Sequence, residues 1–184
     1  MNELNEMLEK VARGTLTPAE AAIELKQRIE LGLGFARLDV DRRRRCGVPE
    51  VVFGPGKAIE QIVEISRQLL ERERHVMASR VSAEQARALC EALPNAVHHP
   101  LARCVTADLE PLPPPRGRVA VVSGGTADMP VGEEAALTAE RMGAEVDRIW
   151  DCGVAGLHRL LPHLETLRAA NAVIVVAGME GALP

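Results

Sequence analysis

The sequence predicts an α/β protein with an amino-terminal α/β domain followed by a partial three-layer, Rossmann-like (flavodoxin-like) parallel-sheet domain. In its second half, the apolar segments VAVVS, EVDRIW and AVIVVAG alternate with amphipathic stretches. That alternation is typical of parallel strands joined by crossover helices. Between the halves, the prolines of PLPPPRG exclude a helix and favour an extended chain. We therefore predict domains at 1–110 and 118–184, joined by a linker at 111–117.

In the first half, local signals mark the helix starts. Thr17 and Glu20 have the spacing of a capping box, in which each side chain bonds a free amide of the first turn, and Ser82 and Gln85 have the same spacing. Apolar residues at Ile23, Leu25, Ile29 and Leu33 are expected on one helix face. The other elements expected here are short strands at EVVF and HVMAS, extended stretches at NAVHH and RCVTAD, and helices from Lys57 to about Glu73 and from Ser82 to about Leu93.

In the second half, VAVVS is expected to be a buried strand and the residues after Pro130 a helix. Glu133 and Glu134 lie near the positive end of that helix, where carboxylates are favourable. EVDRIW is expected to form the next strand. AGLHRLLPHLETLRAA is expected to be helical, with Pro162 either kinking the helix or starting a second one. AVIVVAG then completes the sheet as a third buried strand.

Composition excludes several classes of protein. The net charge is −4, and the only aromatic residues are Trp150, Phe35 and Phe53, which argues against nucleic-acid binding. The four cysteines lack the spacing of a zinc site or a disulfide framework. The amino terminus is charged, unlike a signal peptide, and no apolar run is long enough to span a bilayer. We expect a cytoplasmic protein without membrane or nucleic-acid partners.

Three glycine-rich loops follow the predicted strands: SGGTADMP, DCGVAG and GMEGALP. In a parallel sheet these loops meet at the carboxyl edge, where such folds bind ligands. Each loop combines small residues with one acid, and glycine lets the backbone approach a ligand. Neither a GxGxxG fingerprint nor a P-loop is present. We therefore expect a nucleotide site there, and the alternative is that Ser-Gly-Gly-Thr only turns a strand into a helix.

Basic residues elsewhere have two interpretations. The run RRRR at 42–45 is either a solvated surface or weak nucleic-acid patch, with some arginines paired with Asp39, Asp41 and Glu50, or a source of arginines that reach a phosphate or carboxylate. Lys57 lies at a predicted helix start, which is an unfavourable place for a cation, so an anionic partner is expected there. His158 is either a structural histidine or a catalytic one.

The two halves together resemble a known family. The stretch from VAVVSGGTADMP to GMEGALP, including DCGVAGLHR, looks like the carboxylase domain of the LarB family, and LDVDRRRRCGVPEVVFGPGKAIEQI resembles its amino-terminal region. That carboxylase domain is similar to the purine enzyme aminoimidazole ribonucleotide carboxylase/mutase. Ser123-Gly124-Gly125-Thr126-Ala127-Asp128 matches the phosphate-binding turn of the purine enzyme, whereas its Ser-Ala-His-Arg motif is replaced here by Asp151-Cys152-Gly153-Val154.

The resemblance implies a pyridinium-3,5-biscarboxylic acid mononucleotide synthase, which acts in the biosynthesis of the nickel-pincer nucleotide. Such an enzyme carboxylates C5 of the pyridinium ring of nicotinic acid adenine dinucleotide with carbon dioxide or bicarbonate, and hydrolyses the phosphoanhydride to release AMP. A family cysteine in an Asn-Ser-Cys motif activates the ring. This sequence does not contain that motif, so we expect the chain to be a fragment. A homo-oligomer is expected, Mg²⁺ is left open as a cofactor, and no metal ligands are assigned.

Roles for individual residues follow from the resemblance and the loop positions. Glu180 is expected to be the acid/base, with Asp151 and His158 as further catalytic candidates. The residues expected to bind substrate or nucleotide are Ser123, Gly124, Gly125, Thr126, Asp128, Gly153, Gly156, Arg159, Gly178, Met179, Gly181, Arg42, Arg45 and Lys57. The alternatives are an aminoimidazole ribonucleotide carboxylase/mutase-type purine enzyme and a nucleotide-binding fragment without activity.

Overall fold

The computed structural model describes residues 2–178 and 181–184, without the side chains of residues 2–3 and 26–30. The chain divides into two compact units, Met1–Glu50 and Val51–Pro184. Within the described residues, no helix combines the length and apolarity needed to cross a membrane.

The first unit is mainly helical and contains one hairpin. Its elements are α1 (Asn2–Ala12), α2 (Pro18–Ile29), β1 (Glu30–Gly32), β2 (Arg37–Asp39) and α3 (Arg42–Cys46), with β1 and β2 antiparallel. The capping box that begins α2 is confirmed: the Glu20 amide donates to Thr17 Oγ1 at 3.2 Å, and the Thr17 amide donates to Glu20 Oε2 at 2.9 Å. The predicted apolar face of α2 is wrong in part, because Ile23 is 59% exposed and Leu33 lies in the hairpin.

The second unit begins with a four-stranded mixed sheet. Its elements are β3 (Val52–Phe53), α4 (Ile59–Glu73), β4 (His75–Ser79), α5 (Ala83–Ala92), β5 (Val97–His99) and β6 (Cys104–Asp108), and the strand order is β3-β4-β6-β5. The four predicted extended segments are therefore confirmed. Helix α4 begins two residues later than expected, with Ala58 as its N-cap. The second capping box is present, because the Gln85 amide donates to Ser82 Oγ at 3.1 Å.

A second sheet of three parallel strands completes this unit. Its elements are β7 (Arg118–Ser123), α6 (Met129–Arg141), β8 (Glu145–Ile149), α7 (Leu164–Ala169) and β9 (Ala172–Val176), in the order β8-β7-β9. Strand β7, the first of the three in the sequence, is thus central, with β8 and β9 on either side. A flavodoxin-like sheet begins in the same way. The α/β fold class predicted from the sequence is confirmed.

Two local predictions for this sheet are wrong in part. The stretch predicted as helical after β8 forms 3-10 turns at Val154–Arg159 and Leu161–His163 before α7 begins, and Pro162 lies near the start of the second turn. Strand β9 is not fully buried, because Val173 is 45% exposed. The reason is its position at the edge of the sheet, where it has only β7 as a neighbour.

Helix α6 packs against both sheets of the second unit. Leu137 packs with Met77 and Cys104 of the four-stranded sheet, and Arg141 donates from both terminal nitrogens to the Asp108 carboxylate. The proline-rich stretch 111–117 contains neither helix nor strand. Both sheets nevertheless lie in one compact unit, so the predicted division into domains at this stretch stays a prediction.

Candidate functional site

The carboxyl ends of the three parallel strands lie side by side. Val122 of β7 is in register with Ile149 of β8, and Ser123 is in register with Val176 of β9. Two of the loops that follow are bonded to the ends of neighbouring strands: the Gly124 amide donates to the Val176 carbonyl of β9 at 2.8 Å, and the Cys152 amide donates to the Ser123 carbonyl of β7 at 2.9 Å. Ligands of such sheets bind where the strand order reverses, which here is the crevice between β7 and β9.

The glycine turn after β7 is organised by its own acid. Gly124 and Gly125 lead into a 3-10 turn at Thr126–Asp128, and the Gly125 amide donates to Asp128 Oδ2 at 2.8 Å. The other oxygen, Oδ1, lies 3.8 Å from the point where a Cβ on Gly178 would stand, so the carboxylate borders the loop after β9. Since the Gly125 amide already has an anionic partner, a phosphate at that amide would be repelled by Asp128. The turn therefore favours a hydrogen-bond donor or a positive charge.

A second carboxylate, Asp151, follows β8. Its amide donates to Ser123 Oγ at 3.1 Å, and its Oδ2 accepts a hydrogen bond from Arg159 Nη1 at 2.7 Å. Ser123 is completely buried, whereas the Asp151 side chain is 49% exposed. The buried serine thus holds the backbone of Asp151, the half-buried Arg159 holds its carboxylate, and part of the side chain faces solvent.

Close packing explains two of the glycines predicted to bind nucleotide. A Cβ on Gly153 would stand 2.8 Å from the Gly124 carbonyl oxygen, and a Cβ on Gly156 would stand 2.8 Å from Arg159 Nε. Neither glycine has a positive φ. The loop after β8 therefore needs glycine in order to pack on the loop after β7 and on the Arg159 guanidinium.

We expect Gly153→Ala to lower the free energy of unfolding by about 1–3 kcal/mol, because the backbone around the Gly124 carbonyl must shift to admit the methyl group. Gly125→Ala is the matched control, since its Cβ would meet only Asp128 Oδ2, at 3.8 Å, and its φ of −135° suits any residue. Urea unfolding of both variants checks this. Equal losses in the two would show that the close approach does not matter.

The two buried thiols do not suit a nucleophilic role. Burial raises the pKa of Cys152, and its single S–H can donate to the carbonyl of either Trp150 or Arg159, each 3.5 Å from the sulfur. Burial likewise raises the pKa of Cys104 to about 11. Since the thiolate is the reactive form, both cysteines are structural.

The described residues contain no group of three or more histidine, cysteine, aspartate or glutamate side chains arranged to hold a metal ion. The two site carboxylates, Asp128 and Asp151, are each bonded to a protein group instead. Mg²⁺ therefore stays open as a cofactor.

The other predicted site residues are more scattered. His158 is exposed on the 3-10 turn after β8, and Gly178 and Gly181 lie in the loop after β9. Met179 and Glu180 lie outside the described residues.

The three basic residues predicted to bind an anion lie away from this sheet edge in the sequence. Lys57 Nζ donates to the Phe53 carbonyl at 2.7 Å. Arg42 and Arg45 belong to the first unit, where Arg45 pairs with Asp39 and Arg42 is exposed.

The structure also shows partners that the sequence did not reveal. The Gln85 side chain donates to the carbonyls of Gly54 and Lys57, which ties the glycine-rich loop before α4 to the start of α5. The paired spacing of Ser82 and Gln85 predicts the cap but not this second set of bonds. Lys57 therefore lies in a loop that these hydrogen bonds tie to α5.

Comparison with known proteins gives two results. Residues 30–109 match the family model described as the LarB/PurE-like N-terminal domain. The chain is also similar to the uncharacterized protein MJ0165 of Methanocaldococcus jannaschii, with 35% identity over 158 residues, which cover 80% of this chain and 61% of that protein. The chain thus spans less than two thirds of the length of this relative.

Proposed function

Because residues 30–109 belong to the LarB/PurE-like N-terminal domain family, we propose that this chain is part of a carboxylase- or mutase-type enzyme that acts on a nucleotide. The family match carries the proposal. It is supported by the second unit, in which three glycine-containing loops and two carboxylates meet at the carboxyl edge of a parallel sheet. This edge is where such folds bind ligands.

The specific reaction that we propose is carboxylation of nicotinic acid adenine dinucleotide at C5 of its pyridinium ring, with release of AMP, for nickel-pincer nucleotide synthesis. The negative charge of the site supports a substrate with a cationic ring over a substrate with a neutral ring. Asp128 and Asp151 both place carboxylate oxygens at the sheet edge, and only Asp151 is paired with an arginine among the described residues. A pyridinium ring would supply the missing positive charge.

In this reaction a carbon–carbon bond forms between C5 and carbon dioxide, and the C5 proton leaves to a base. We assign the base to Glu180, which comes four residues after Val176, the last residue of β9, in the sequence and is therefore expected at the same sheet edge. Ring activation is assigned by the resemblance to the cysteine of an Asn-Ser-Cys motif that this sequence does not contain. The buried thiol of Cys152 does not replace it, because burial raises its pKa.

The test uses the natural full-length protein with nicotinic acid adenine dinucleotide and isotopically labelled bicarbonate. We expect label in a pyridinium dicarboxylate and AMP in equal amounts, both measured by chromatography. A protein that leaves this substrate unchanged and carboxylates or rearranges aminoimidazole ribonucleotide instead would establish the purine-type alternative. Binding of the dinucleotide without turnover would show that the protein is a nucleotide-binding module.

Gly125→Val tests whether the glycine turn faces the ligand. The backbone at Gly125 accepts a side chain, and its Cβ would point past Asp128 Oδ2 without a clash. We expect the melting temperature to be nearly unchanged and the affinity for nicotinic acid adenine dinucleotide to fall about tenfold or more, which is about 1.4 kcal/mol. Calorimetry measures this. Ala172→Val, at the exposed amino end of β9, is the control, and equal affinities in the two variants would remove the turn from the site.

A further inference from the structure

Asp151 has a backbone conformation that is uncommon among residues other than glycine. Its φ is +57°, in the left-handed region, which is occupied far more often by glycine. Such a conformation costs of order 1 kcal/mol or more, and it persists only where the surrounding structure enforces it. The residue follows β8 at the carboxyl edge of the sheet, and its amide is bonded to the end of β7, the strand that borders the proposed ligand crevice. What enforces the conformation is therefore informative about the site.

Ser123 supplies the first constraint. Its hydroxyl oxygen accepts the Asp151 amide at 3.1 Å, and its carbonyl accepts the amide of the next residue, Cys152, at 2.9 Å. One completely buried residue at the end of β7 thus bonds two consecutive amides of the loop after β8. Because a buried serine has little freedom, the backbone of Asp151 is fixed relative to β7.

Arg159 supplies the second constraint. Its Nη1 donates to Asp151 Oδ2 at 2.7 Å, and its guanidinium lies against Gly156, where a Cβ would approach Nε to 2.8 Å. The other oxygen, Oδ1, makes no hydrogen bond within residues 2–178 and 181–184. The backbone and one carboxylate oxygen are therefore held in place, and one oxygen remains available at the sheet edge.

We propose that Ser123 and Arg159 are positioning residues that act through Asp151, and that Asp151 Oδ1 is the atom that meets a hydrogen-bond donor or a positive charge of the substrate. This inference rests on the proposed function, but it reassigns Ser123 and Arg159, which the sequence led us to expect as nucleotide ligands. Ser123 is completely buried, and its hydroxyl oxygen accepts the Asp151 amide, so its side chain is not exposed at the surface where a ligand would bind. An arginine paired with a carboxylate offers a phosphate little net charge.

Kinetics of the natural full-length protein separate positioning from direct binding. We expect Arg159→Met to lower kcat for carboxylation about 10- to 100-fold with KM changed less than about twofold, because a displaced group mainly loses transition-state contacts. Arg159→Lys, which can still donate to Oδ2, should recover part of kcat. A rise in KM at unchanged kcat would instead show that Arg159 binds substrate directly, and would overturn the proposal.

A double substitution tests whether Arg159 acts through Asp151. In an Asp151→Asn background, we expect Arg159→Met to cause little further loss of kcat, because the group that it positions is already altered. Independent, additive losses would contradict the proposal. Arg168→Met, which removes an exposed pair with Glu165, is the control and should leave both constants unchanged.

Amide hydrogen exchange tests the positioning without any activity assay. On the 184-residue chain, we expect Ser123→Ala to speed exchange of the Asp151 amide by about tenfold or more, while amides in the middle of β7 keep their protection. Unchanged exchange at Asp151 would overturn the role of Ser123. If the wild-type full-length protein fails to convert the dinucleotide, the proposed function fails, and this exchange measurement still decides whether the loop is held as we infer.

Discussion

Asp108→Asn is expected to lower the free energy of unfolding by about 3 kcal/mol. Arg141 is only 8% exposed and donates to both Asp108 oxygens, while His75 Nδ1 lies 2.9 Å from Oδ1. Removing one charge of such a group leaves the other buried and uncompensated, which typically costs 3–5 kcal/mol. We expect the lower end of that range, because the Asp108 side chain is one-third exposed.

Chemical unfolding of the second unit measures this effect. The matched control is Glu165→Gln, which removes the carboxylate of an almost fully exposed arginine pair and is expected to leave the midpoint unchanged. Equal stability of Asp108→Asn and the wild type would show that the network linking α6 to the four-stranded sheet makes no net contribution.

The same network predicts a pH dependence. Burial alone would raise the pKa of Asp108, but hydrogen bonds from Arg141 and His75 outweigh it and hold the pKa below its ordinary value. A lowered carboxyl pKa stabilises the folded state above the unfolded-state value of about 3.9, and this contribution is lost as the pH falls through the lower folded-state pKa. The wild type should thus lose more stability than Asp108→Asn on acidification below about pH 4.

Glu180→Gln is expected to lower carboxylation by the natural full-length protein by about 10²–10⁴-fold, the usual contribution of a general base. The change keeps the shape of the side chain and removes the proton acceptor, so dinucleotide binding should survive. Single-turnover kinetics beside a thermal melt measure both effects. Glu145→Gln, at the exposed amino end of β8, is the control. Near-normal carboxylation with a lowered melting temperature would make Glu180 a structural residue.

Much of the fold could be predicted because its signals are local. Strand β4 coincides with the predicted HVMAS, and both capping boxes form as their spacing indicates. The order of strands and helices after residue 118 also predicted the parallel sheet, since chain connectivity largely decides that topology. These features depend on neighbours in sequence or on general rules of connection.

The hairpin of the first unit and the details of the site were harder to predict, because they depend on contacts between distant residues. Nothing in the spacing of Ser123 shows that its hydroxyl accepts an amide from another loop. The glycines at 153 and 156 resemble ligand-binding glycines in the sequence, whereas their role here is to allow close packing. Likewise, the Gly125 amide, which the sequence predicts to bind phosphate, donates to the Asp128 carboxylate instead.

The contact between Trp150 and Gly132 has a practical consequence. Trp150 lies between β8 and Asp151, and its ring packs so closely on α6 that a Cβ on Gly132 would come within 2.8 Å of it. The chain contains no other tryptophan and no tyrosine, so its intrinsic emission comes from this one ring. Fluorescence therefore reports on a single point of the molecule, where helix α6 meets the loop of the candidate site, without any attached dye.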